Sequence, residues 1–381
     1  MLLIKNGHIK TMVGEDIESG YVLIGDNGKI VSIGKNAEET ADVTVLDAEG
    51  RLVTPGCVEA HCHIGLGDLS GSDCNESSDP ITPEMRAIDG INPQHEAFGN
   101  AIRGGITSVC TGPGSANIIG GTFAAIKCYG KRVDDMIIKN PVAMKIAFGE
   151  NPKKIYGQGG KAPKTRMAIA ALLREFLYKA KKYYTDKEEG KDPAFDMKLE
   201  AMLPVMSGEI PLKAHAHRAD DIFTAIRIAK EFGLKLTLDH CTDGALIADE
   251  LAKEGYPAFV GPSMGGKSKY ELWNKDFKTP AVLNSAGVDI AIITDASVIQ
   301  IEYLPLVAGM AAKAGLPFEE AWKAITINAA MLTGIGDRVG SLEVGKDGDV
   351  VIWQADPLRE IGAEAHTTVI DGKIVYRATE L

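Results

Sequence analysis

Five of the eight histidines fall in three short stretches, each read as the end of a β-strand. His61 and His63 lie in VTPGCVEAHCHIG, His215 and His217 in PLKAHAHRADD, and His240 in LKLTLDHCTDG. Asp295 closes a later apolar run, VDIAIITD. Neutral imidazoles and one carboxylate arriving from separate strand ends are the donors that a catalytic metal centre uses. Residues two apart on a strand share a face, so His61 and His63 can chelate one ion. Exposed strand histidines are the plainer explanation, but Pro55, Gly56 and the apolar residues before the pair place it at the end of a buried strand. Cys62, between them, points away by alternation and is read as packing. His215 and His217 also share a face. His217, nearer the strand end, is favoured as the ligand, with His215 facing substrate. A buried carboxylate is costly without a partner. A metal and its water would satisfy Asp295, which would then take a proton from that water as the catalytic residue.

The residues that must position these groups alternate between strand and helix patterns. ITSVCTG leads to a Gly-rich turn and a helix expected around TFAAIKCYG. VAMKIAFGE is a strand, and TRMAIAALLREFLYKAKKYY has the three-and-four apolar spacing of a helix. PLKAHAH precedes the helix ADDIFTAIRIAKEFG, with Gly233 as its C-cap. LKLTLDH, ALIADELAKEG, PAFVGPS and VDIAIITDA continue the rhythm, which predicts an α/β fold, a (β/α)₈ barrel over residues 54–344. Both ends are β-rich instead, and predict one small β-sandwich domain assembled from residues 1–53 and 345–381. Two segments break the rhythm. Residues 66–98 form a long polar insertion directly after His63, where a functional lid is expected. Residues 150–165 are basic within an acidic chain. Arg218, beside His217, is placed to bind substrate.

The net charge of −11 argues against nucleic acid as a partner, since a phosphate backbone demands a basic face. No apolar run is long enough to span a bilayer, so no membrane association is expected. The N-terminal MLLIKNGHIK does not have the pattern of a secretory signal. Six cysteines without a CxxC pair suggest reduced thiols and a cytoplasmic setting.

The order His-x-His, His, His, Asp over residues 54–295 resembles the amidohydrolase superfamily. The flanks VTPGCVEAHCHIG and AITINAAMLTGIGDRVGSLEVGKDGDVVIW agree, and the resemblance covers essentially the whole chain. Within it, HAHRADDI is most similar to the imidazolonepropionase-like and prolidase-like members. The resemblance implies one or two divalent metals, zinc first among them, and hydrolysis of a C–N bond by metal-activated hydroxide. It implies His61, His63, His217 (or His215), His240 and Asp295 as ligands, and a bridging lysine or glutamate on the fourth strand. Lys145 and Glu150 have opposite parity there, and Glu150, at the strand's end, is favoured as the bridge. The expected substrate is a small amide, cyclic amide or dipeptide-like molecule, anionic if Arg218 binds it, and the chain is expected to be a homo-oligomer. Two rivals stand beside this: a mononuclear deaminase or imidazolone-type hydrolase, and an inactive binding or scaffold homologue.

Overall fold

The computed structural model describes residues 1–36, 43–68 and 71–379. Its centre is a nearly closed barrel sheet whose eight strands are β1 (Cys57–Cys62), β2 (Ile106–Thr111), β3 (Ile119–Lys127), β4 (Ile137–Ala147), β5 (Leu212–Ala216), β6 (Leu236–His240), β7 (Ala258–Val260) and β8 (Ile290–Ile292). They neighbour one another in chain order. Backbone ladders join every successive pair, while β1 and β8 meet by other means. Val58 N donates to Ile325 O and Ile292 N to Ala324 O, so residues 324–325 fill the seam. Higher up, the Glu59 carboxylate spans it, accepting from His61 N at 3.0 Å and from Thr294 N and Oγ1 at 2.9 and 2.6 Å.

One expected element is corrected. TFAAIKCYG forms no helix; residues 119–127 are strand β3, antiparallel to both β2 and β4. Every residue of β3 is buried. Phe123 and Ala125 pack in the barrel interior with Val58, Ala60 and Phe259, while Ala124 and Ile126 join the outer core under the helices. That two-residue alternation is what a barrel wall requires. The barrel therefore departs from the all-parallel pattern at one strand.

The other expected elements form where the periodicity places them. Thr165 caps the helix Arg166–Glu188, its side chain accepting from Ala168 N. The helix Ala219–Phe232 ends at Gly233, which takes the left-handed conformation (φ 70°). Both chain ends contribute to one mixed eight-stranded sheet. Leu2–Ile9, Ile17–Ile24, Ile30–Lys35, Thr44–Asp47 and Leu52–Pro55 come from one end, and Val350–Trp353, Ala365–Ile370 and Lys373–Arg377 from the other. It has its own apolar core, including Ile4, Val22, Ile24, Val53, Val350 and Ile352.

Candidate metal centre

Two groups of ligand side chains meet at the C-terminal mouth of the barrel. In the first, Asp295 Oδ1 lies 3.2 Å from His63 Nε2 and 3.5 Å from His61 Nε2. Donors at zinc bond lengths on one tetrahedral ion sit about 3.3 Å apart, so this spacing fits a shared cation. In the second, His215, His217 and His240 are buried with ring centroids 4.4 to 4.7 Å apart. Their donor atoms all lie within 4.8 Å of one another. His240 connects the groups, its ring 5.3 Å from that of His61. Lys145, fully buried on β4, brings Nζ to 3.3 Å from His61 Nε2.

Most of the rings are fixed through Nδ1. His63 Nδ1 donates to Gly112 O at 2.7 Å and His240 Nδ1 to Gly261 O at 2.8 Å. His217 Nδ1 is 2.8 Å from Thr242 Oγ1. His61 Nδ1 is 2.9 Å from Asp239 Oδ2, a buried carboxylate also 3.1 Å from Lys213 Nζ. Such partners set the tautomer and turn Nε2 toward the ion. His240 and Asp295 take left-handed backbone conformations, φ 73° and 55°. Each costs on the order of 1–3 kcal/mol and persists only where the surroundings enforce it.

Electrostatics keep the imidazoles ready to donate. Burial pushes His215 and His217 well below the usual histidine range and His240 down to about 3. Burial also pushes Lys145 down to about 8 and the Glu59 carboxyl up to about 7. For Asp295 burial works the other way, yet His240, His61 and His63 outweigh it and hold the carboxylate well below its usual range. Three neutral buried imidazoles facing one point, beside a carboxylate held ionised, are a donor set that fits divalent metal.

A family model described as the amidohydrolase family matches residues 52–375. The chain belongs to the amidohydrolase family. It is a metal-dependent hydrolase acting on carbon–nitrogen bonds. A solved amidohydrolase from Thermotoga maritima MSB8 is 40% identical, covers 99% of this chain and 100% of its own, and superposes with a TM-score of 0.95. The amidohydrolase tasK of Hapsidospora irregularis is 29% identical over 93% of this chain, which spans only 39% of that relative's length. An imidazolonepropionase from Acidiphilium cryptum (strain JF-5) is 26% identical over 91% of this chain and 89% of its own.

Against this amidohydrolase centre, two expected site residues fall elsewhere. Strand β4 ends at Ala147, and Gly149 (φ 82°) turns the chain into the helix Glu150–Gln158. Glu150 therefore starts a helix and lines an outer depression with Lys153, Lys154, Lys164 and Arg166. The strand's inward-facing charged residue at the centre is Lys145. Arg218 forks its own neighbour Asp220 through two hydrogen bonds of 2.9 Å and is not among the residues that border the cavity over the centre. His215 is brought into the same group as His217, so the structure unites what the sequence separated.

A cavity of about 350 Å³ opens over the centre, bordered by His63, His215, His217, His240 and Asp295. Asn75 from the polar insertion reaches it, with Oδ1 accepting from Ala116 N at 2.9 Å. Sequence reasoning did not single out Glu59, Asp239, Lys213, Lys269 or Glu271. Asp239 stood beside His240 in the strand motif, where alternation would send the two to opposite faces. The left-handed turn at His240 brings both inward.

Proposed function

We propose that this amidohydrolase cleaves the C–N bond of a small amide, cyclic amide or dipeptide-like substrate at a two-metal centre. The observation that carries this is the pair of facing ligand groups with Lys145 buried beside them. His61, His63 and Asp295 would hold one ion, and His217 (or His215) and His240 the other. Lys145, carboxylated on Nζ by carbon dioxide with loss of a proton, would help to hold both ions. Divalent metal held there, zinc first among the candidates, would supply Lewis-acid polarisation of the carbonyl and a more acidic water. Asp295 takes the proton of the attacking water on its carboxylate and delivers it to the leaving nitrogen. His61 and His63 hold that carboxylate ionised and aimed into the cavity. The similarity to an imidazolonepropionase favours keeping cyclic amides in the substrate panel.

A deaminase of this family would be expected to carry a glutamate three residues beyond the fifth-strand histidine, where Arg218 follows His215 and Asp220 follows His217. Asp220 is exposed and paired with Arg218, so the amide reading is preferred to that alternative. Cys57, Cys62, Cys110, Cys128 and Cys241 are buried thiols, which supports a reducing, cytoplasmic setting. Among the described residues no helix is long and apolar enough to cross a membrane. Self-association into a homo-oligomer is proposed alongside and is read by sedimentation. The activity test is amine release from dipeptides and N-acyl amino acids, and release of a ring-opened amine from cyclic amides. Release by zinc-loaded protein that stops on chelation is expected; no release from any of the three classes contradicts the reading.

A further inference from the structure

We infer that one wall of the cavity is a carboxylate-binding site, built from Lys269 and Ser115 and joined by Asn151. Among the residues lining the cavity, Lys269 is the one lysine or arginine. Its ammonium donates to Asn151 Oδ1 at 3.0 Å and meets Glu271 Oε1 at 2.6 Å. An ammonium has three protons, so one remains for a ligand. Glu271 is buried behind it, with 1% of its side chain exposed against 23% for Lys269. The carboxylate anchors the lysine from the side of the histidine group, its Oε1 lying 4.0 and 3.9 Å from Nε2 of His215 and His217.

Asn151 gives the site its direction. Its Oδ1 accepts from Lys269, so its amide group must donate, and Nδ2 lies 2.8 Å from Ser115 Oγ. A serine oxygen that accepts this bond keeps its own O–H free to donate. Ser115 lines the same cavity. The same Nδ2 is 3.4 Å from His215 Nε2, which sets the wall directly beside the histidine group. Three residues from separate segments, after β2, β4 and β7, thus form one ordered chain of donors. A cation and a hydroxyl donor at its two ends suit the two oxygens of a carboxylate.

The local backbone is shaped to permit this. A Cβ at Gly149 would lie 2.5 Å from Glu271 Oε2. Glu271 can approach and support Lys269 only because that position is glycine, and Glu150 N then donates to Glu271 Oε2 at 2.9 Å.

The substrate class that follows is an amide carrying a free carboxylate close to the scissile bond, such as an N-acyl amino acid or a dipeptide. This rests on the amide-hydrolysis reading above. The test compares N-acetyl amino acids with their C-terminal amides, by calorimetric binding to zinc-loaded protein and, separately, by turnover. Wild type should bind the acids roughly 10- to 100-fold tighter than the amides, the range set by one charged hydrogen-bonded contact. Lys269→Met should abolish most of that preference, and Lys269→Arg should restore part of it. Ser115→Ala, which does not touch Glu271, should weaken acids selectively with zinc content unchanged. A preference that survives Lys269→Met overturns the inference, as does wild type that shows none, including wild type that binds neither series. Selective binding of acids without hydrolysis of either series would keep the site and remove the amide-hydrolysis reading instead.

Discussion

At the scale of single residues, the centre works by tying down one nitrogen of a ring to free the other. His63 and His240 spend Nδ1 on backbone carbonyls, and His61 faces Asp239. Asp295 alone among the proposed ligands of the first group can both accept a proton and stay fixed. Asp295→Asn should lower kcat by about 10²- to 10⁴-fold, the usual worth of a positioned proton carrier, with metal content retained. Turnover at the wild-type level would remove Asp295 from that role. Lys145→Met should cost one equivalent of metal, whereas Glu150→Gln should cost none; the opposite pattern in elemental analysis would restore the glutamate bridge. The two were separable in the sequence by parity but not by depth. A ligand was expected at the strand's end, and nothing in VAMKIAFGE tells that the strand stops at Ala147 and turns at Gly149. Arg218 illustrates a related limit: adjacency to His217 says nothing of the fork it makes with Asp220.

At the scale of elements, what positions the ligands is strand register. Lys145 is level with Lys213, and His215 with Asp239, so each sits one inward step from the next. Periodicity made the long helices and the ligand-bearing strands legible, because one face of each differs from the other. It failed for β3, where IGGTFAAIK is buried on both faces and small residues blur any period. Tyr156 adds one hydroxyl to the contacts that hold the polar insertion, among them Lys198 Nζ to Asp79 Oδ2 and Ile81 O. Tyr156 Oη has one proton to donate and faces three acceptors, Asn117 Oδ1 at 2.6 Å, Asp79 O at 2.9 Å and Glu76 O at 3.1 Å. Tyr156→Phe should cost about 1–3 kcal/mol through the acceptors left unpaired. It should also speed amide hydrogen exchange across residues 76–82; unchanged exchange there would mean that other contacts hold the segment.

At the scale of the molecule, the sheet made from both ends packs Val351, Trp353 and Ala365 into the main core and is also tied to the barrel by a buried lysine. Lys127, the last residue of β3, sits 2.9, 2.7 and 3.2 Å from Asp347, Asp349 and Asp371. Burial disfavours its charge, yet the three carboxylates outweigh this and raise its pKa. Lys127→Met should destabilise the protein by about 3–5 kcal/mol, since it strands buried carboxylates. Denaturant unfolding checks this, and kcat per folded molecule should not change. That both ends belong to one β-rich unit was legible from their turns and alternation, but this fastening was not, because its partners lie more than two hundred residues apart. The central claim is that the barrel mouth holds two metal ions. Its most direct test is elemental analysis of metal per chain, on protein purified without chelators and supplied with zinc. Two equivalents are predicted; one, or none, would contradict the two-metal centre.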